Sequence, residues 1–159
     1  MSEGRRVNLN QDRCTGCYAC AVACMDQHFD LDEDYVCLRY VLHMERENED
    51  GIRFASVGCM HCEDAPCVFA CPTGAVFRDE ETGLVVVEQS RCIGCHSCLL
   101  ACPYGAPRFS KNNKMVKCDG CIHRVKAGLL PACAAACPTR ALSFTTDEEL
   151  AKSRLIKRF

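Results

Sequence analysis

The stretch "CTGCYACAVAC", residues 14–24, decides how this chain is read: four cysteines fall in eleven residues at the spacing C-x2-C-x2-C-x3-C. Three further runs follow. "CMHCEDAPCVFACP" (59–72) carries Cys59, Cys62, Cys67 and Cys71, and "CIGCHSCLLACP" (92–103) carries Cys92, Cys95, Cys98 and Cys102. "CDGCIHRVKAGLLPACAAACP" (118–138) carries Cys118, Cys121, Cys133 and Cys137. Each run begins with C-x2-C and ends in C-x3-C, and the last three close on Cys-Pro, so the chain is a fourfold repeat of one cysteine device. Sixteen of the 17 cysteines belong to it, and Cys37 is left over.

Composition points the same way. Seventeen cysteines among 159 residues, with seven Phe, four Tyr and no Trp, leave a modest apolar core, so something besides hydrophobic burial must hold the chain together. A net charge of −2 gives no basis for nucleic acid as a partner. No segment approaches the 18 apolar residues of a membrane span. The start, "MSEGRRVNLNQDRC", lacks the apolar run of a secretory signal, and "VNLNQD" after Arg5 and Arg6 is too polar for a twin-arginine one. The expectation is a cytoplasmic chain, with export on a partner's signal left open.

Three chemistries compete for the cysteines. A disulfide framework suits short secreted chains, but no signal is read here, and cysteines so close in sequence bridge one another only under strain. Structural zinc uses C-x2-C half-sites, and the fourth run alone resembles a zinc ribbon. The third close cysteine of each run would have no task in a tetrahedral zinc site. It has one in a [4Fe–4S] cubane, where three thiolates of a tight loop cap three irons and a distant cysteine caps the fourth. C-x2-C-x2-C-x3-C-P is the bacterial ferredoxin spacing, in which the last cysteine of a run serves the neighbouring cluster, so four runs working in pairs give four clusters.

The intervening residues fit. Gly16, Gly94 and Gly120 each precede the second cysteine of their run, where glycine lets the backbone approach inorganic sulfur. His61 holds that place in the second run, either as a packed ring satisfied by a neighbour or as a proton-linked tuner of the nearby cluster. Pro72, Pro103 and Pro138 stop short helices expected at "VFAC", "LLAC" and "ACAAAC". Met25 stands where proline is expected, so the helix at "ACAVAC" runs on through "MDQHF". Period-two alternation in "YVCLRYVLHM" puts Val36, Leu38, Tyr40, Leu42 and Met44 on one face of a strand and Cys37 on the other. With "IRFASV" it predicts a β-hairpin, and "GAVF" with "LVVVE" predicts a shorter one. Thr146 and Glu149 form a capping box that opens a C-terminal helix over 146–159, whose basic end (Lys152, Arg154, Lys157, Arg158) reads as a solvated face.

The order of the runs, with x4 inside the second and x11 inside the fourth, resembles the four-cluster iron–sulfur subunits of molybdopterin and tungstopterin oxidoreductases, of the dimethyl sulfoxide reductase, polysulfide reductase and formate dehydrogenase types. "GCMHCEDAPCVFACPTGA" and "KCDGCIHRVKAGLLPACAAACPTRAL" carry the likeness most strongly, and it extends from about Val7 to Phe144. The resemblance implies an α+β fold of two bacterial-ferredoxin-like di-cluster units, one inserted in the other. The outer unit takes residues 1–35 and 108–145, a connecting hairpin 36–58, and the inserted unit 59–107. It also implies ligand sets: Cys14, Cys17 and Cys20 with Cys137; Cys118, Cys121 and Cys133 with Cys24; Cys59, Cys62 and Cys67 with Cys102; and Cys92, Cys95 and Cys98 with Cys71.

By the same resemblance the chain performs no bond chemistry of its own. It relays electrons through four [4Fe–4S] clusters between a Mo- or W-pterin catalytic subunit (formate dehydrogenase, aldehyde oxidoreductase or reductase type) and a further donor or acceptor, in a hetero-oligomer. Because the chain is short for that family, a soluble complex is expected. A free polyferredoxin, a hydrogenase-complex carrier and a zinc-stabilised interaction protein are the alternatives.

Overall fold

A computed structural model describes residues 4–30, 35–45, 51–146, 148, 149 and 152. The fold is α+β, made among the described residues of short helices and four two-stranded antiparallel sheets. The longest helix, α1 (Ala19–His28), continues past Cys24 as the absence of proline there predicts, and ends where Phe29 turns extended. Single-turn helices sit at α2 (Pro66–Phe69), α3 (Ser97–Ala101) and α5 (Ala132–Ala135), at the expected cysteine pairs. Another, α4 (Ile122–Lys126), fills the x11 interval of the fourth run and was not anticipated.

Strand pairing joins distant parts of the molecule. β1 (Arg6–Leu9) pairs with β8 (Leu142–Thr145), from Arg6 opposite Thr145 to Leu9 opposite Leu142. With α1 packed on α5, the first and fourth cysteine runs become one body. The expected hairpins are present as β2 (Arg39–Glu45) with β3 (Ile52–Gly58), and β4 (Val76–Arg78) with β5 (Val85–Val87). A further small hairpin, β6 (Arg108–Phe109) with β7 (Met115–Val116), follows the third run, and α2 packs on α3.

The face of β2 differs from the expected one. Buried positions are Arg39 and Val41, while Leu42 is exposed. Cys37 and Val36 precede the strand rather than belonging to it. The inward face carries Arg39, which reaches Ser56 and the charge of nearby cysteines, and Val41, which joins Val7, Cys20, Cys133 and Leu142 in one core. The reciprocal bonds of the capping box exist, Glu149 N–H donating to Thr146 Oγ1 and Thr146 N–H to Glu149 Oε2, both at 3.1 Å. Most of the helix expected after it lies outside the described residues.

Cysteine takes the place of large hydrophobes in the interior. One core gathers Ala65, Cys67, Ala75, Val76, Val85, Cys92, Cys98 and Met115; a second gathers Val7, Cys20, Val41, Cys133 and Leu142. A third, of Cys24, Leu38 and Cys118 with Cys59 and Val116 against it, lies where the middle and outer runs meet. No helix among the described residues is long and apolar enough to cross a membrane.

Candidate metal centres

All seventeen cysteines are free thiols, and the sixteen in runs gather at four places. One cavity is walled by Cys14, Cys17, Cys20 and Cys137. A second is walled by Cys71, Cys92, Cys95 and Cys98, and a third by Cys59, Cys62, Cys67 and Cys102. The remaining four also approach one another. Cys24 and Cys118 share a core, His28 reaches Cys24 and Cys121, and Cys133 feels the charge of Cys121 and Cys24. Cys37 walls none of these three cavities; it donates to Arg39 C=O at 3.3 Å, as a half-buried structural residue.

The size of each foursome tests what it can hold. A tetrahedral zinc thiolate site with Zn–S near 2.3 Å needs its sulfurs about 3.8 Å apart. Among the described residues only His28, Asp119 and Cys121 bring three ligand atoms within 4.8 Å of one another. Each cysteine foursome is therefore too open for a single ion. It fits a larger group held at four corners, and the all-thiol donor set suits iron–sulfur chemistry.

Local backbone geometry aims the thiols. The residue before the second cysteine of every run is left-handed: Gly16 (φ 71°), His61 (46°), Gly94 (67°) and Gly120 (71°). The structure adds a reason to the one read in the sequence. A Cβ on Gly16 would come 2.5 Å from the Phe54 ring, on Gly94 2.3 Å from Asn113 C=O, and on Gly120 2.7 Å from Leu84. The glycines are required by their backbone angle and by protein packed behind the loop.

His61 shows that a side chain tolerates this conformation when it is well supported. It is 5% exposed, its Nδ1 accepts from Val85 N–H at 3.0 Å, and its ring lines the cavity of Cys59 and Cys102. Burial first, then the charge of Lys117, holds its pKa well below the usual imidazole value, so the ring is neutral. With Nδ1 accepting, the proton sits on Nε2, which has no partner within the protein. The ring is packed and bonded to a neighbour through Nδ1, with Nε2 left without a partner within the protein.

Several polar groups at the sulfurs escaped the sequence reading. Ser56 Oγ lies 3.2 Å from Cys20 Sγ and accepts from Arg39 Nη1 at 3.1 Å. Arg39, 3% exposed, carries its charge where it acts on Cys133, Cys118, Cys24 and Cys20. His28 is held protonated, chiefly by its hydrogen bond to Asp119 (2.8 Å), and donates from Nδ1 to Cys24 C=O at 2.9 Å. Thr73 and Thr139 stand in the same place two residues after Cys71 and Cys137. There the thiol pKa is lowered against the upward push of burial, through backbone N–H groups and the threonine hydroxyl. Cys118 lies at the other extreme, pushed up to about 12 by burial. The signal that could have found Arg39 and Lys117 was a cation inside an otherwise apolar strand or directly before a cysteine.

Residues 51–147 match the 4Fe-4S dicluster domain family. The protein is 40% identical over 154 residues to the B subunit of the anaerobic dimethyl sulfoxide reductase of Escherichia coli K12, an alignment covering 91% of this chain and 74% of that subunit. It is 40% identical over 153 residues to the subunit of the same name from Haemophilus influenzae (89% and 74%), and 41% identical over 145 residues to the thiosulfate reductase electron transfer subunit PhsB of Salmonella typhi (88% and 74%). The protein belongs to the ferredoxin-type iron–sulfur subunits of the molybdopterin oxidoreductases, as a non-catalytic electron-transfer subunit whose cofactors are four [4Fe–4S] clusters.

Proposed function

We propose that each of the four cysteine foursomes holds one [4Fe–4S] cluster: Cys14, Cys17, Cys20 and Cys137; Cys24, Cys118, Cys121 and Cys133; Cys59, Cys62, Cys67 and Cys102; Cys71, Cys92, Cys95 and Cys98. The observation that carries this reading is that no three cysteine sulfurs among the described residues lie within 4.8 Å of one another, too far apart for one ion, while three of the foursomes each wall a shared cavity. When bound, each cluster supplies a one-electron redox site. The protein ligates it, keeps water away with the buried cores, and sets its potential through hydrogen bonds and charges at the sulfurs.

The pairs are nested. Sites sharing α1 and α5 make the outer pair, and sites sharing α2 and α3 make the inner one. Met115 of β7 is buried in the inner core and Phe109 of β6 packs against it, so we place the boundary of the inserted unit after β7 rather than at residue 108. Shared elements then give a row: the Cys92 site, the Cys59 site, the Cys118 site, the Cys14 site. Electrons pass along it between a molybdopterin catalytic subunit and a second redox partner. The named relatives are reductases, which favours a reductase partner acting on a small oxidised sulfur compound. A formate dehydrogenase or aldehyde oxidoreductase partner draws no support from them.

The test is elemental analysis of the natively expressed, anoxically purified protein with its co-purifying subunits. About sixteen irons per chain with molybdenum or tungsten are expected, from four clusters of four; zinc in place of iron would sink the proposal. Cys95→Ser is expected to alter one cluster and slow electron transfer while leaving the pterin cofactor in place. Unchanged iron and unchanged transfer would refute the assignment of Cys95.

A further inference from the structure

The joint between the inner and outer pairs contains a buried lysine that ligation does not require. Lys117 is 4% exposed in a chain whose other lysines have no such burial among the described residues. Its Nζ donates to Cys118 C=O at 2.7 Å and to Val85 C=O, and lies 3.7 Å from Cys59 Sγ. Cys59 belongs to the inner pair, Cys118 to the outer, and Val85 to the strand whose N–H is held by His61. Three donor directions of one ammonium are thus spent on the two cysteine runs and the strand behind them. No carboxylate hydrogen-bonds or ion-pairs with Lys117 among the described residues; Asp119 feels its charge but is bonded to His28. A buried, unpaired ammonium is costly in a protein interior unless negative charge stands close by. Thiolate-ligated clusters on both sides supply that charge.

We propose that Lys117 is a positioning residue shared by two clusters: it pins the Cys59 and Cys118 sites to each other and raises the reduction potentials of both, so that the electron crosses from one pair to the other beside a fixed positive charge. A reduced cluster carries one more negative charge than an oxidised one, so a nearby cation stabilises the reduced form more, on either side. Arg39 does not duplicate this. It pairs across the hairpin with Gly58, bonds Ser56, and its charge falls on Cys133, Cys118, Cys24 and Cys20 of the outer pair, whereas Lys117 alone of the two hydrogen-bonds Cys59 Sγ and Cys118 C=O. The inference rests on the ligand sets proposed above.

The test is Lys117→Met, which keeps the unbranched shape up to the ammonium and removes the charge, beside Lys117→Gln and Lys117→Arg, each in the full complex with native clusters. Iron per chain and the number of clusters resolved by electron paramagnetic resonance report on the ligand sets. Redox-poised spectra report on Lys117. Loss of the charge should leave four clusters and lower two midpoints, each by tenfold or more in the reduced-to-oxidised ratio, about 59 mV for a one-electron couple. The other two midpoints should stay in place, and Lys117→Arg should lie near wild type. Four intact clusters with unchanged midpoints would overturn the proposal, as would a shift confined to one cluster. Where Lys117→Met loses iron, Lys117→Gln is read by the same standard. Loss of iron from all three variants, arginine included, would also overturn it, because packing volume and not charge would then be what the site needs.

Discussion

Ser56→Ala should lower the potential of one cluster in the outer pair and loosen the hairpin that covers it. Arg39 has donors and no acceptor, so its 3.1 Å contact with Ser56 Oγ uses a hydroxyl lone pair, and the single hydroxyl proton is free to point at Cys20 Sγ, 3.2 Å away. The alanine variant deletes that donor. A net hydrogen bond is worth about 1 kcal/mol, and only the part that strengthens on reduction moves the potential. About 0.5–1 kcal/mol of such differential corresponds to a fall of about 20–45 mV in a one-electron couple. The stability effect is separate. Arg39 Nη1 loses its acceptor in a buried setting where Nε already has none, at a cost of about 1–3 kcal/mol. Potentiometric titration followed by electron paramagnetic resonance reads the first effect, and the urea concentration that bleaches the cluster absorbance reads the second. Ser56→Thr keeps the hydroxyl and should restore both. An alanine variant whose four midpoints all lie within about 10 mV of wild type, well inside the expected fall, would refute the donor role assigned to Ser56.

Three further substitutions probe the scaffold. Gly94→Ala places a Cβ 2.3 Å from Asn113 C=O at φ +67° and should destabilise by about 2 kcal/mol or more, whereas Gly105→Ala, with positive φ but open space, should cost only about 1 kcal/mol; urea midpoints of the two, measured together, separate clash from backbone strain. Leu84, fully buried behind Gly120, should lose about 2–5 kcal/mol as Leu84→Ala, read as an earlier loss of cluster absorbance on heating. Asp79, bonded first to Lys126 and then to Thr82, has its carboxyl pKa lowered to about 2. A depressed carboxyl stabilises the fold above its ordinary pKa, so the wild-type advantage over Asp79→Asn in urea midpoint should be constant at neutral pH and fade only as pH drops from about 4 to about 2.

What could be read from the sequence was local. Cysteine spacing placed four of the five α-helices α1–α5, the two larger hairpins came from alternation and turn composition, and Thr146 with Glu149 gave the capping box. What was missed is of a different kind. In the β1–β8 pair the Asn8 side chain donates to Thr145 C=O, 137 residues away, and nothing in two four-residue strands announces such a partner. The glycines were legible as glycines, but the atoms that forbid a side chain, in Phe54, Asn113 and Leu84, come from elsewhere in the sequence.

Arg39 and Lys117 were the most informative residues to miss, because the ordinary rule sends such side chains to water. At 3% and 4% exposure they make physical sense only beside concentrated negative charge, and no carboxylate pairs with either of them among the described residues. Thiolate-ligated clusters supply it. The protein therefore has two interior cations whose burial is favourable with the clusters in place and costly without them, in a chain whose cores are themselves built from cysteine. Cluster insertion and folding should for that reason be one event: without the clusters the chain would have neither the apolar surface nor the counter-charge to close the hairpin of Arg39 over α1 or to seat Lys117 between the two pairs, and a cooperatively folded apo-protein by circular dichroism would show this coupling to be wrong.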